Sequence, residues 1–151
     1  MNAGTICQRV LYTIGRRDEV VRAAQLMREK HVGYLVVVEP DPSAGFARAV
    51  GVLTDRDIVV TVVAREVDPR SLCVEDIMTR NPVTVRESDS IEQVVHEMAR
   101  AGIRRVPVLD YRGQVVGVVS IDDVLQDVAG DAADIVAAIR NERRIEGTAR
   151  P

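Results

Sequence analysis

The sequence contains no tryptophan, one phenylalanine and three tyrosines. With so few rings, aliphatic side chains, chiefly valine, have to fill the core. Branched side chains suit a pleated surface, so this usage favours strands. Cysteine is equally scarce. Cys7 and Cys73 stand far apart and offer no metal-ligand spacing, and the setting expected from them is reducing and cytoplasmic. A basic excess is missing too: Lys plus Arg number 20 against 23 acidic residues, a net charge of −3. That argues against a nucleic-acid binder working through global charge. No apolar run approaches the roughly 18 residues of a membrane span, and the N-terminus lacks the basic start and apolar stretch of a signal peptide. His31 and His96 are the only histidines, and neither sits in a ligand-like cluster. No Ser-His-Asp, metal or nucleophile constellation is visible, so catalysis within this chain is not expected.

What the 151 residues do contain, at 28% charged and 46% hydrophobic, is an ordinary globular composition organised as a repeat. Thr13–Val38 aligns with Thr84–Leu109 at an offset of 71, where Thr13/Thr84, Asp18/Asp89, Met27/Met98 and Val37/Val108 coincide. The match resumes at an offset of 66, pairing Val50-Gly-Val-Leu-Thr54 with Val116-Gly-Val-Val-Ser120 and Asp57 with Asp123. The change of offset reflects an 11-residue loop at Glu39–Ala49 that is six residues long in the second copy. Each copy reads as β-α-β-β-α: a short strand (Tyr12–Ile14, Val83–Val85), an apolar-faced helix with Asp89 and Glu92 as its start signal, two further strands and a second helix. The fold class is therefore α+β, with two small modules, each too small to bury its sheet alone, that pair pseudo-symmetrically to supply the missing core. Residues 1–66 form the first module, 67–82 a join with a short helix around Val74–Met78, 83–130 the second module, and 131–151 a terminal amphipathic helix and loose tail. Arg140, Arg143 and Arg144 make a basic cluster in that tail, interrupted by Glu142 and Glu146, and read as a solvated face.

The segments richest in chemistry are Gly51-Val-Leu-Thr-Asp-Arg-Asp57 and Gly117-Val-Val-Ser-Ile-Asp-Asp123, each crossing from strand to helix. A hydroxyl followed three residues later by an acid is a capping box, which needs no ligand. The same geometry also suits a nucleoside phosphate. A helix N-terminus seats phosphate, Thr54 or Ser120 adds a hydroxyl, and Asp57 or Asp123 can accept from two ribose hydroxyls as acids do in dinucleotide folds. Gly51 and Gly117 would let a base approach the backbone. Both readings stay open at this point.

With Leu53-Thr-Asp-Arg-Asp-Ile58, Ile103-Arg-Arg-Val-Pro-Val108, and Val74-Glu-Asp-Ile-Met78 leading into Asn81-Pro-Val-Thr-Val85, the chain resembles a tandem pair of CBS domains, a Bateman module, over roughly Tyr12–Gly130. Copy one departs from that pattern twice: Gly33-Tyr34 replaces the Arg-Arg pair, and no Asp-Ile-Met lead-in precedes Tyr12. The resemblance implies two clefts between the copies that bind AMP, ADP or ATP as regulatory ligands, with no catalytic cofactor. One cleft would combine Thr54, Arg56 and Asp57 with Val83–Val85 and Arg105. The other would combine Ser120 and Asp123 with Tyr12, Thr13, Ile14, Val32, Gly33 and Arg104. Backbone groups of the two edge strands would meet adenine, Val32 and Ile103 would flank it, and the three arginines would meet phosphate. Arg56 aligns with Asp122, so the Asp57 cleft is expected to tolerate more phosphate charge than the Asp123 cleft.

The leading expectation is a stand-alone cytoplasmic sensor, a homodimer that passes ligand state to a separate effector protein. A structural pair that dimerises and docks without any physiological nucleotide is the rival. NAD and S-adenosylmethionine are alternative ligands carrying the same adenosyl group. DNA binding through the C-terminal arginines is set against by the net charge.

Overall fold

Valine-rich runs bounded by turn residues form the strands in the computed structural model, which describes residues 1–149. β1 (Thr13–Gly15) runs parallel to β2 (Tyr34–Asp41), which pairs antiparallel with β3 (Phe46–Thr54). In the second copy β5 (Val85–Arg86), β6 (Arg105–Leu109) and β7 (Val115–Ser120) repeat this arrangement. Even the irregularity repeats: a bulge falls between Val37 and Val38 and again between Val108 and Leu109. The expected loop at Glu39–Ala49 is mostly strand. Pro40 pairs with Ala47 and Asp41 with Phe46, and the Asp41 carboxylate closes the tip by accepting from the Ser43 N–H and hydroxyl. The extra residues thus lengthen a hairpin. Its tip meets the other copy where Arg112 lies over the Phe46 ring, 5.4 Å from its centre.

Helices α2 (Val20–Lys30) and α5 (Ile91–Ala101) bury one apolar stripe each, Val20, Ala23 and Met27 in one and Val94 and Met98 in the other. The α5 start lies one residue beyond the expected Asp89/Glu92 signal. Ser90 and Gln93 exchange the two capping bonds. Asp89 instead accepts from the Arg86 N–H, as Asp18 does from the Gly15 N–H, and so turns the chain between strand and helix.

The unexpected element is α1 (Ala3–Ile6), opened by a capping box between Asn2 and Thr5. It is the counterpart of α4 (Val74–Ile77), so the repeat extends to the start of the chain. Ala3 and Gly4 donate their N–H groups to the carbonyls of Asp89 and Glu87, as Val74 and Glu75 donate to those of Asp18 and Arg16. The lead-in to Tyr12 that seemed missing is therefore present as Ala3-Gly-Thr-Ile-Cys7. Only Ile6 keeps the family residue.

Each lead-in crosses to the other module. β4 (Thr79–Arg80) joins the edge of β3, giving the order β1-β2-β3-β4. Gln8 joins the edge of β7 by the same bonds, its N–H to Val118 O at 2.9 Å and the return bond at 3.1 Å. Ala3 and Cys7 lie in the core with Val85, Val94, Met98, Val106, Val108, Val119 and Val124. Val74 and Met78 lie in the core with Ile14, Ala23, Met27, Leu35, Val37 and Leu53. Burying a side chain of this kind stabilises by about 1.5–3 kcal/mol, so neither core is complete without its borrowed turn.

The second helices differ. In copy one, α3 (Asp55–Ile58) passes into a π-helical turn at Val59–Val63, where five consecutive residues include four valines and a threonine that crowd a helix. Glu66, at φ 55°, ends it in the left-handed region. In copy two, alanine-rich sequence carries α6 without a break from Ile121 to Ala149, through Gly130. The two helices expected there are one. The side chains of Arg143 and Arg144, and the tail at 150–151, lie outside the described residues.

Candidate functional site

Both hydroxyl–acid segments fold as reciprocal caps. The Thr54 N–H donates to Asp57 Oδ2 at 2.9 Å, and the Asp57 N–H returns to Thr54 Oγ1 at 3.1 Å. At the other site the Ser120 N–H donates to Asp123 Oδ2 at 2.8 Å, the Asp123 N–H to Ser120 Oγ at 3.2 Å, and the Ser120 hydroxyl also donates to Asp123 Oδ2 at 2.6 Å. The capping reading of these residues is therefore correct, and it leaves part of each carboxylate facing a cleft.

The Thr54–Asp57 cleft, about 580 Å³, is walled by Val52, Pro82, Val83 and Ile103 and edged by Arg56, Arg104 and Arg105. The Ser120–Asp123 cleft, about 460 Å³, is walled by Val10, Leu11, Tyr12, Val32 and Val118 and edged by Lys30, His31 and Arg105. The two linings correspond by the repeat: Thr79, Asn81, Pro82 and Val83 stand where Gln8, Val10, Leu11 and Tyr12 do, and Ala101 to Arg105 where Lys30 to Tyr34 do. Geometry alone thus gives two equivalent clefts, each built from both modules.

Most residues expected at the clefts line them: Thr54, Arg56, Asp57, Val83, Ile103 and Arg105 on one side, Ser120, Asp123, Tyr12, Val32 and Gly33 on the other. Three do not. Ile14 and Val85 are buried in the two cores because they point to the helix side of their strands, and Thr13 lies exposed on β1 away from the lining. Arg104 edges the Thr54–Asp57 cleft rather than its expected partner. Its guanidinium also lies 3.8 Å from Asp122, which lines neither cleft. Gly51 and Gly117 serve the crossing lead-ins and not a base. A Cβ at Gly117 would meet Gln8 O at 2.7 Å, and one at Gly51 would meet Met78 Sδ at 2.6 Å and Thr79 O at 2.9 Å.

The CBS domain model matches this chain twice, over residues 3–64 and 74–130. The chain belongs to the CBS domain family. As a CBS pair it is 32% identical to a putative signal-transduction protein with CBS domains from Burkholderia ambifaria, with a TM-score of 0.75 over 87% of this chain and 96% of that one. It is 26% identical to a CBS domain pair solved in complex with 5-methylthioadenosine and S-adenosyl-L-methionine, with a TM-score of 0.72 over 87% of this chain and 98% of that one. An uncharacterized protein of Methanopyrus kandleri is 31% identical over 83% of this chain, which spans 62% of that relative's length. No helix among the described residues is long and apolar enough to cross a membrane.

Sequence reasoning missed Gln8, Lys30, His31 and Tyr34. Extending the 71-residue offset back to the first residues would have exposed Gln8 as the partner of Thr79. Lys30 and His31 end α2, with His31 in the left-handed region at φ 55° where Gly102 stands in the other copy. Their presence changes the expected charge contrast. Three arginines face Asp55 and Asp57 in one cleft, and Lys30 and Arg105 face Asp123 in the other, so the linings carry the same formal charge with His31 neutral.

Tyr34 and Arg105 occupy equivalent positions, line both clefts and touch, the guanidinium 5.9 Å from the ring centre. The Tyr34 hydroxyl is buried and meets no hydrogen-bond partner among the described residues. Burial pushes its phenol up, against the opposing pull of Arg105. Burial would also raise the Asp123 carboxyl, but donation from Ser120 and Gln8, with Arg105 nearby, holds it below the usual range.

Proposed function

We propose that this CBS pair is a regulatory module that binds an adenosine-containing ligand, AMP, ADP or ATP, in both clefts and conveys occupancy to a separate effector. The observation that carries this reading is the repeated constellation itself. Twice, a capped helix N-terminus presents a carboxylate toward a cleft with an apolar wall on one side and cationic side chains on the other. The carboxylate suits a ribose diol, the wall a purine, and the cations a phosphate. The related pair solved with 5-methylthioadenosine and S-adenosyl-L-methionine supports an adenosyl ligand. The working unit in this reading is the pair, not residues 1–66 or 83–130 alone, since each cleft draws on both modules.

Exposed apolar side chains favour self-association as a homodimer. Val59, Val60 and Val63 after α3, and Leu125 and Val128 on α6, are each close to half exposed or more. Light scattering at micromolar concentration should return a dimeric mass.

The ligand test is a thermal-shift screen over AMP, ADP, ATP, NAD and S-adenosylmethionine, because a ligand that binds only the native state raises the melting temperature. Calorimetry on Asp57→Ala, Asp123→Ala and the double variant should then show one cleft lost in each single variant and both in the double. Each lost bond to the carboxylate is worth about 1.5–3 kcal/mol. Absence of a shift with all five compounds would favour a structural dimerisation and docking role instead.

A further inference from the structure

We infer that Gln8 sets the sugar specificity of the Ser120–Asp123 cleft, an inference that rests on the adenosine reading above. Its side-chain amide donates to Asp123 Oδ1 at 2.9 Å. The contact is exposed to solvent, but the Gln8 backbone is held on both sides. Its N–H and carbonyl pair with Val118, and Gly117 leaves room for it that a Cβ would fill. Strand pairing therefore aims this side chain at the carboxylate.

An ionised carboxylate offers about four lone-pair sites. Asp123 already accepts three bonds, two from Ser120 on Oδ2 and one from Gln8 on Oδ1. One site is left. Asp57 accepts only the Thr54 N–H among the described residues, so Oδ1 and half of Oδ2 remain for a ligand. The residue in the Gln8 position there is Thr79, and no hydrogen bond joins it to Asp57. A ribose brings two vicinal hydroxyl donors. Asp57 can take both. Asp123 can take both only if Gln8 withdraws, whereas a sugar with a single hydroxyl fits beside Gln8 as it stands.

The Asp57 cleft is accordingly the ribose-selective one, and the Asp123 cleft discriminates weakly between ribose and 2′-deoxyribose. Gln8 is a specificity residue that acts by occupying the acceptor, in the manner of a built-in competitor.

The experiment is calorimetric titration of AMP and 2′-deoxy-AMP into full-length Asp123→Ala, Asp57→Ala and Asp57→Ala/Gln8→Ala, with melting temperatures to confirm that each is folded. The Asp123→Ala protein should prefer AMP about tenfold, the worth of one hydrogen bond to a charged group. The Asp57→Ala protein should prefer it by less than about threefold. Adding Gln8→Ala should strengthen AMP binding and move the ratio toward that of the other cleft. If Asp57→Ala binds neither nucleotide, gain of AMP binding on adding Gln8→Ala supports the inference and continued silence overturns it. Equal ratios with and without Gln8, or strong ribose preference in Asp57→Ala, also overturn it while leaving the adenosine reading intact. Failure of the wild-type chain to bind AMP, ADP or ATP at either cleft overturns both.

Discussion

The two clefts share a frame and differ in their fittings. Cap, edge strand and crossing lead-in recur residue for residue, down to the bulge in the central strand. Core positions change only among small and aliphatic residues, such as Ala23 for Val94, Leu35 for Val106 and Leu53 for Val119, whereas the lining changes in chemical character: Gln8 for Thr79, Lys30 for Ala101, His31 for Gly102, Gly33 for Arg104 and Tyr34 for Arg105. Frame positions answer to packing and backbone hydrogen bonds that both halves need. Lining positions answer only to what occupies the space, so a duplicated module can diverge there without loss of fold. Gly33 illustrates the coupling between the two demands. A Cβ there would meet the Asp55 carboxylate at 2.5 Å, so the arginine of the other copy would require that exposed side chain to swing aside.

The comparison can be tested first in the cores. Leu53 and its counterpart Val119 are both fully buried. Leu53→Ala should cost about 2–5 kcal/mol. Val119→Ala should cost less by about one methylene, ~0.8 kcal/mol. Because each core contains a turn borrowed from the segment that leads into the other module, urea should unfold either variant in one cooperative transition seen alike by every probe. Two separate transitions would break the equivalence of the halves.

Next are the glycines beneath the lead-ins. Gly117→Ala should destabilise by about 1–3 kcal/mol, as overpacking does, and Gly51→Ala by less. The backbone oxygen of Gln8 is the first obstacle at Gly117, while the flexible end of Met78 is the first at Gly51. Urea midpoints for the pair would settle the order, and an equal or reversed cost would show that the two crossings are not built alike.

The caps give a smaller effect. Thr54→Ala and Ser120→Ala should each cost about 1 kcal/mol, with Ser120 the more costly because its hydroxyl also donates to Asp123. Last is acidity. The Asp123 carboxyl titrates below its ordinary value in the fold, so its contribution is complete above about pH 4 and fades as pH falls through the lowered native value. Asp123→Asn should flatten the acid limb of stability against pH, and a limb of unchanged slope would remove the asymmetry assigned to this group.

Much of the fold was legible because it is written twice. Periodicity in one copy corroborated the other, which is how β-α-β-β-α and the buried Met27 and Met98 emerged. The short α1 escaped because Asn2–Cys7 has no apolar period of its own, and its partners lie some eighty residues away at Asp89 and Glu87. The cleft residues found were those carried by a local motif, Thr54, Asp57, Ser120 and Asp123. Those missed, Gln8 and Lys30 among them, sit on chain ends of elements whose direction only the assembled sheets determine. Ile14 and Val85 turn their side chains into the cores, which the sequence did not reveal because alternation along strands of two or three residues does not say which face is inward.

The exchange of lead-in segments also governs the order in which this chain can acquire its structure. During synthesis Ala3 and Cys7 emerge well before the surfaces that receive them, β5 and β7. The first module in turn waits for Val74 and Met78 before its own core closes. Contacts of such long sequence separation slow folding, because loop closure must precede the gain in burial. The nascent first module therefore carries an unfilled apolar groove until Val74–Met78 arrives, and that interval is when a chaperone or a second nascent chain has access to it.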